Sequence, residues 1–415
     1  MIYGLCSEFW FVDELQIYLI GLKSFTTGTW PFYGPDITYT DTQIPGALQG
    51  LLVSIPFYLL KIPESPIIFL NILSFISLSY LAYYISKRIT GIPKWLIWTL
   101  VLTTPWTLYY STRVVNPSYV LIFSIPFFLS VVELLPIYNQ KIIRPKLAFF
   151  IIGLTTTLIM QLHMSFVLLI PFTGLVFLEA ISKSYKKIGI YLLIYLSGIM
   201  IGLIPLIPTY IYPDLTMKGV SSNIIFNLDN FKNFITILLR FLSFAGFEIP
   251  YVMGGGTIER INVIKSQPWI APFALVLLFV GFLQIGLFVI SFFMNKDKTE
   301  WRKIKWLTFI SWQIIFFSFF FSIKGPSSHT FYLMLPIPLL YSFYCYQWLV
   351  TKKPFVLKFI KIIAICGICF HIGLGRYNFQ NKSLYINRKK VQEALNKMDY
   401  KILGERRADK WGYGY

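Results

Sequence analysis

Charge is what this sequence has least of. Only 13% of its 415 residues are Asp, Glu, Lys or Arg, against 56% hydrophobic and a mean hydropathy of +0.64. Soluble domains carry about a quarter charged residues, so a water-soluble fold is excluded at the outset. Cysteine is scarce as well. Of the four present, Cys366 and Cys369 form a CxxC inside an apolar run, with no second pair to complete a metal site. They read as packing residues. Residues 1–12 carry neither a basic n-region nor a small-residue cleavage site, so no cleavable signal peptide is expected. No repeat of fixed period is present.

What remains is membrane-like. Aromatics reach 19%, as suits interfacial Trp and Tyr anchors. The net charge of +19 fits cytoplasmic loops on anionic headgroups rather than nucleic acid. Apolar runs long enough to span a bilayer, about 17–25 residues each, recur throughout. The expected spans are 66–86, 95–110, 117–135, 147–163, 165–182, 188–212, 268–294, 306–323, 331–350 and 359–375. The run at 95–110 is short and carries a Pro-Trp kink. The stretch 45–60 either crosses or lies at the interface.

Charge placement decides between these. Linkers 86–94, 139–146, 183–187, 295–305 and 351–358 hold 17 of the 37 Lys and Arg. The short linkers between them, 111–116 and 324–330, hold only Arg113 and Lys324. The positive-inside rule puts the first set in the cytoplasm and the second outside. That alternation is unbroken only if 45–60 is an external surface helix. The expected class is therefore an all-α polytopic membrane protein. A transmembrane domain spans 1–375, with external loops 13–65 and 213–267, and a basic tail at 376–415 lies outside by parity. In the second loop "FKNFITILLRFLSFAGF" reads as an interfacial helix.

Span centres are poor in ionisable groups, which would be functional candidates there. Glu133 and Glu179 sit near cytoplasmic ends, where headgroup contact or snorkelling is expected. The other groups of interest collect at the external edge: Asp13, Glu14, Asp36, Asp41, Arg113, His163, Lys324 and His329. A carboxylate can take a proton from an attacking hydroxyl. Arg and Lys can neutralise a phosphate. Together they suit transfer from a phosphate-activated donor. Structural readings stand beside this one. Acids at a helix start can be dipole partners, Arg113 can snorkel to headgroups, and His163 and His329 can be hydrogen-bonded structural residues.

The order of these pieces resembles the GT-C glycosyltransferases, nearest the protein O-mannosyltransferases and the lipid A aminoarabinose transferase (family 39-like). The carriers are "FVDELQIYLIGLK", "TQIPGALQGLLVSIPFYLL", "AYYISKRITGIPKW", "TTPWTLYYSTRVVNPSYVL", "GLTTTLIMQLHMSFVLLIP" and "SSHTFYLMLPIPLLY", spread in order over residues 9–350. The resemblance implies a GT-C-like bundle of about 10–11 transmembrane helices with external juxtamembrane helices. It implies a polyprenyl-phosphate-sugar donor, a lipid, glycan or protein acceptor, and inverting transfer at the external face of a bacterial plasma (inner) membrane. Asp13 would be the catalytic base and Glu14 its support. Arg113, Lys324 and His329 would hold the donor phosphate, and Asp36, Asp41 and His163 would line the cavity. No metal site is implied, and a divalent cation is the one cofactor left open. Two departures stand out: only twelve residues precede the acid, and "IPGAL" replaces the Pro-Pro pair of many relatives. A lipid-linked glycan transporter or flippase, or a truncated non-catalytic relative, is the alternative.

Overall fold

The computed structural model describes residues 2–7, 12–36, 43–211, 226–243, 249–254, 256–295, 299–321, 331–380 and 383–404. The chain begins with a short helix α1 (Ile2–Ser7) and α2 (Val12–Thr27), followed by strands β1 (Tyr33–Asp36) and β2 (Gln43–Pro45). The strands pair antiparallel, Tyr33 opposite Pro45 and Asp36 opposite Gln43, so the all-α expectation acquires a small hairpin. Helix α3 (Leu48–Leu59) then lies against α2, where a side-chain carbon at Gly21 would collide with Val53. Next come α4 (Ser65–Arg88), α5 (Lys94–Thr103), α6 (Pro105–Tyr110), α7 (Asn116–Leu134) and α8 (Pro145–Met160).

The expected span 95–110 is therefore two helices. The Thr104 hydroxyl accepts from Thr107 N–H, and Pro105 opens the new helix at a position where its missing N–H costs nothing. The chain continues through a 3₁₀ turn, Met164–Leu169, into α9 (Ile170–Ser184), α10 (Ile188–Leu203) and α11 (Ile207–Ile211). Then come α12 (Phe234–Ser243), α13 (Ile249–Met253) and α14 (Thr257–Ser266), all within 213–267, and after them α15 (Ala271–Met294), α16 (Thr299–Ser318), α17 (Pro336–Lys352), α18 (Val356–Phe379) and α19 (Ser383–Lys397).

Among the described residues five stretches are long and apolar enough to cross a membrane: Ser65–Arg88, Met164–Ile211, Pro268–Met294, Glu300–Phe321 and Val356–Phe379. The second of these contains both α9 and α10. The runs Leu48–Leu59, Lys94–Thr103, Tyr119–Leu134 and Pro145–Met160 are shorter apolar helices. Large apolar side chains face outward along the long stretches: Leu193 is 64% exposed, Met200 62% and Leu275 66%. Such a surface is stable against lipid and not against water.

The bundle has two distinct ends. At one, Arg88 closes α4 and its guanidinium donates to Glu133 Oε1 at 2.6 Å, at the end of α7. The Tyr84 hydroxyl donates to the same oxygen at 2.6 Å, and Ile142 N–H donates to Glu133 Oε2 at 2.9 Å. Glu133 is thus a buried, triply satisfied anchor rather than the headgroup contact suggested by its place near a span end. The Arg88 guanidinium also lies over the Tyr138 ring, 3.8 Å from its centroid, and the Tyr138 and Tyr344 hydroxyls share a bond of 2.7 Å. Burial, reinforced by Tyr344, pushes the Tyr138 hydroxyl well above its ordinary pKa. Lys303 Nζ donates to the Pro136 carbonyl, and Gln347 Nε2 to Thr90 Oγ1 at 2.8 Å. Burial lowers the Lys141 pKa, helped by nearby Lys183. The basic linkers thus gather at this basic end.

The opposite, distal end carries the hairpin. Gln49 Nε2 donates to the Leu162 carbonyl at 3.1 Å and Thr209 Oγ1 to the Phe32 carbonyl at 2.7 Å. The C-terminal helix α19 docks here as well. Arg388 pairs with Glu64 at 3.3 Å and donates to the Leu5 carbonyl at 2.7 Å.

Helix α12 differs from the expected interfacial helix. Asn227 N–H and Asn230 Nδ2 hold its approach to the Phe320 and Phe319 carbonyls, both at 2.7 Å. It then descends between α15 and α16. Phe234 meets Trp312 edge-on at 5.0 Å, and Gln284 Nε2 donates to the Leu242 carbonyl at 3.1 Å. Gln284 lies about 20 Å along α15 from its start, so α12 ends deep in the bundle.

The closest helix pair is α8 with α10, which run parallel and in direct contact, α9 separating them only in sequence. Gly153 sits against the Tyr195 carbonyl and Gly198 against that of Phe150, with Gly202 on Thr157. Small residues four apart on both helices bring the backbones together, as lipid-embedded helices require without a hydrophobic drive between them. Gly198→Leu should therefore destabilise the protein by about 1–3 kcal/mol or more. Gly189→Leu, on the same helix with open space around it, should be neutral. Thermal unfolding in detergent separates the two. At the basic end, Glu133→Gln leaves Arg88 without its countercharge, a loss of about 3–5 kcal/mol, measurable in the same assay.

Candidate active site

The N-terminal turn of α2 carries the acidic pair. Glu14 is buried, 1% exposed, and its Oε1 accepts from Arg113 Nε at 3.1 Å. Arg113 stands in the turn between α6 and α7, 99 positions away. That turn is built locally. Thr112 Oγ1 donates back to the Leu108 carbonyl at 2.6 Å, and Ser111 Oγ to that of Thr107. Both hydroxyls tie the turn to the last residues of α6, which fixes where residue 113 leaves the backbone.

Arg113 is consequently not an isolated surface cation. Its guanidinium lies over the Tyr109 ring, 4.5 Å from the centroid, and donates to the Tyr109 hydroxyl. Positions 109 and 113 are four apart, and the turn that leaves α6 brings the second side chain back over the first. The spacing was readable in "YYSTR", yet the tyrosine was not singled out. Aromatic packing continues from here: Tyr109 meets Tyr110 edge-on at 5.1 Å, and Tyr110 meets fully buried Tyr332 at 5.0 Å. An acid, an arginine and three tyrosines thus line one corner of the distal end.

The other candidates divide. His163 caps the 3₁₀ turn at 164, its Nδ1 accepting from Ser165 N–H at 3.1 Å and bonding Ser165 Oγ at 2.7 Å. Acceptance at Nδ1 leaves the proton of the neutral ring on Nε2. It stands beside Leu162, the residue that Gln49 anchors, at the same end as Arg113. Asp13 lies in α2 and Asp36 closes β1, with side chains outside the described set. Asp41, Lys324 and His329 lie outside the described residues. Among those described, no three His, Cys, Asp or Glu converge as metal ligands would.

One ionisable residue escaped the sequence reading. His371 is buried in α18, 3% exposed, with the Tyr3 ring edge-on at 5.3 Å. A histidine inside an apolar run was signal enough.

No family model matches this chain, and no curated protein does. Among solved structures it is similar to the crystal structure of ArnT from Cupriavidus metallidurans bound to undecaprenyl phosphate. The identity is 12% and the TM-score 0.47, over 97% of this chain and 72% of that one. No residue role follows from a likeness at that level.

The buried pair makes its own prediction. Arg113→Ala strands the Glu14 carboxylate, so the variant should lose about 3–5 kcal/mol of stability rather than fold like the parent. Glu14→Gln with Arg113→Met should recover part of that loss. A double-mutant cycle read by thermal unfolding checks the coupling. Additive losses would show that the two side chains do not act as a pair.

Proposed function

We propose that this protein is an integral-membrane glycosyltransferase that moves a sugar from a polyprenyl-phosphate donor to an acceptor hydroxyl. The basic linkers face the cytoplasm of a bacterial plasma membrane, and the distal end is the external face. The observation that carries the reading is the Glu14–Arg113 pair. It joins the acidic start of α2 to the Ser-x-Arg turn, two separate pieces of the GT-C resemblance, away from the basic linkers.

In this reading Glu14 is committed to holding Arg113, and Asp13 is the general base. Neighbouring residues on a helix leave the axis about 100° apart, so the two carboxylates divide the tasks. The acceptor oxygen attacks the anomeric carbon and its proton passes to Asp13. The bond from that carbon to the phosphate oxygen breaks, and its electron pair leaves on the phosphate. Inversion follows from single displacement. Arg113, with Lys324 and His329, neutralises the departing phosphate, and Asp36, Asp41 and His163 line the sugar and acceptor cavity.

The test is turnover by purified protein offered radiolabelled polyprenyl-phosphate sugars, followed by release of free polyprenyl phosphate. Asp13→Asn should lower turnover by about 10²–10⁴-fold while donor binding persists. Full activity in Asp13→Asn would remove it as the base. Absence of any donor consumption by the parent protein, across the sugars offered, would overturn the enzyme reading.

A further inference from the structure

Helix α12 does not fill the space it enters. Between it and α15, α16 and α17 runs a groove of about 230 Å³, walled by Phe234 and Leu238 of α12, Phe292 of α15, and Phe309 and Trp312 of α16. At its basic-end mouth stands Lys305, Nζ over the Phe292 ring at 4.5 Å from the centroid and donating to the Phe292 carbonyl. Lys305 is the one basic residue that lines the groove among those described. An apolar trough ending in a lysine matches one chemistry: a hydrocarbon chain with an anionic head.

We propose that this groove binds an acyl chain of an anionic glycerophospholipid, with the lipid phosphate against Lys305. The carrier lipid of a donor is the wrong occupant. Its phosphate belongs beside Arg113 at the distal end, whereas Lys305 lies about 24 Å along its helix from the distal residue Phe321. A chain entering from that end brings no charge to Lys305. The lipid wedges α12 against α15 and α16, standing in for side chains the fold leaves out. The exclusion of the carrier rests on the proposed function, whereas the match of groove and Lys305 to an anionic lipid does not.

The experiment uses the full chain in phosphatidylcholine nanodiscs containing phosphatidylglycerol with a diazirine in one acyl chain. After photolysis, adducts should concentrate on 234–242, 288–293 and 305–312. Unlabelled phosphatidylglycerol should compete about fivefold better than phosphatidylcholine, the value of one lysine near the membrane surface. Lys305→Gln should remove that discrimination. Thr308→Trp, which adds bulk at a lining position, should remove the adducts while leaving Lys305 in place. Adducts spread evenly over the lipid face, including 190–201, would overturn the proposal, as would equal competition by both phospholipids. Displacement by polyprenyl phosphate but not by phosphatidylglycerol would also overturn it, and would give the groove to the carrier.

Discussion

Hydrocarbon cannot solvate a lone charge, and among the described residues two buried carboxylate–guanidinium pairs meet that constraint, one at each end of the bundle. Glu133–Arg88 closes the basic end and Glu14–Arg113 the distal end. Each joins elements far apart in sequence, so each acts as a long-range tie as well as a charge balance. The desolvation of such a pair largely offsets its attraction, which makes it poor as net stabilisation and strict as a geometric condition. Only an arrangement that brings both partners together escapes the cost of an unpaired ion. The pairs thereby select which helix ends can lie side by side.

Between the ends, packing has to come from shape. Lipid tails are as apolar as leucine, so α8 and α10 gain little from hiding apolar side chains from their surroundings. They approach through Gly153, Gly198 and Gly202, and the last two are the only buried residues of α10. The opposite solution holds around α12, where aromatic side chains meet edge-on and leave space between them. Close backbone contact on one side and an open aromatic groove on the other give the bundle a rigid flank and an adaptable one.

Much of this was legible in the residues. The runs 66–86 and 359–375 became helices Ser65–Arg88 and Val356–Phe379, because length and apolarity alone decide what can lie in hydrocarbon. Pro105 marked the break in 95–110. The hairpin was not legible: Gly34, Pro35 and Pro45 argue against strands, and the pairing is held by surroundings rather than propensity. Glu133 looked like a residue at a span end because its partner, 45 positions away, leaves no local trace. Likewise Glu14 and Arg113 were both singled out, but for separate tasks. Periodicity carries no information about a contact across 99 positions. For α12 the helix was legible and its surroundings were not. An apolar face looks the same whether it meets lipid headgroups or two neighbouring helices.

The placement of the distal pair bears on where chemistry can occur. A transfer from a lipid-borne phosphate to a polar hydroxyl needs one reactant anchored in hydrocarbon and the other supplied from water. At mid-depth the acceptor would have to shed its hydration, and in open water the donor would have to leave its bilayer. The boundary is where both can arrive without either cost, and in the proposed function the distal corner of Glu14, Arg113 and the Tyr109–Tyr110–Tyr332 rings stands there. Its aromatic lining lowers the local dielectric, so an arginine there acts more strongly on a departing phosphate than the same charge would in water. Glu14 counts against that gain, because it already neutralises part of the arginine. The balance favours transfer only if the carboxylate positions Arg113 while a second acid takes the proton, which is the division of labour that two adjacent carboxylates allow.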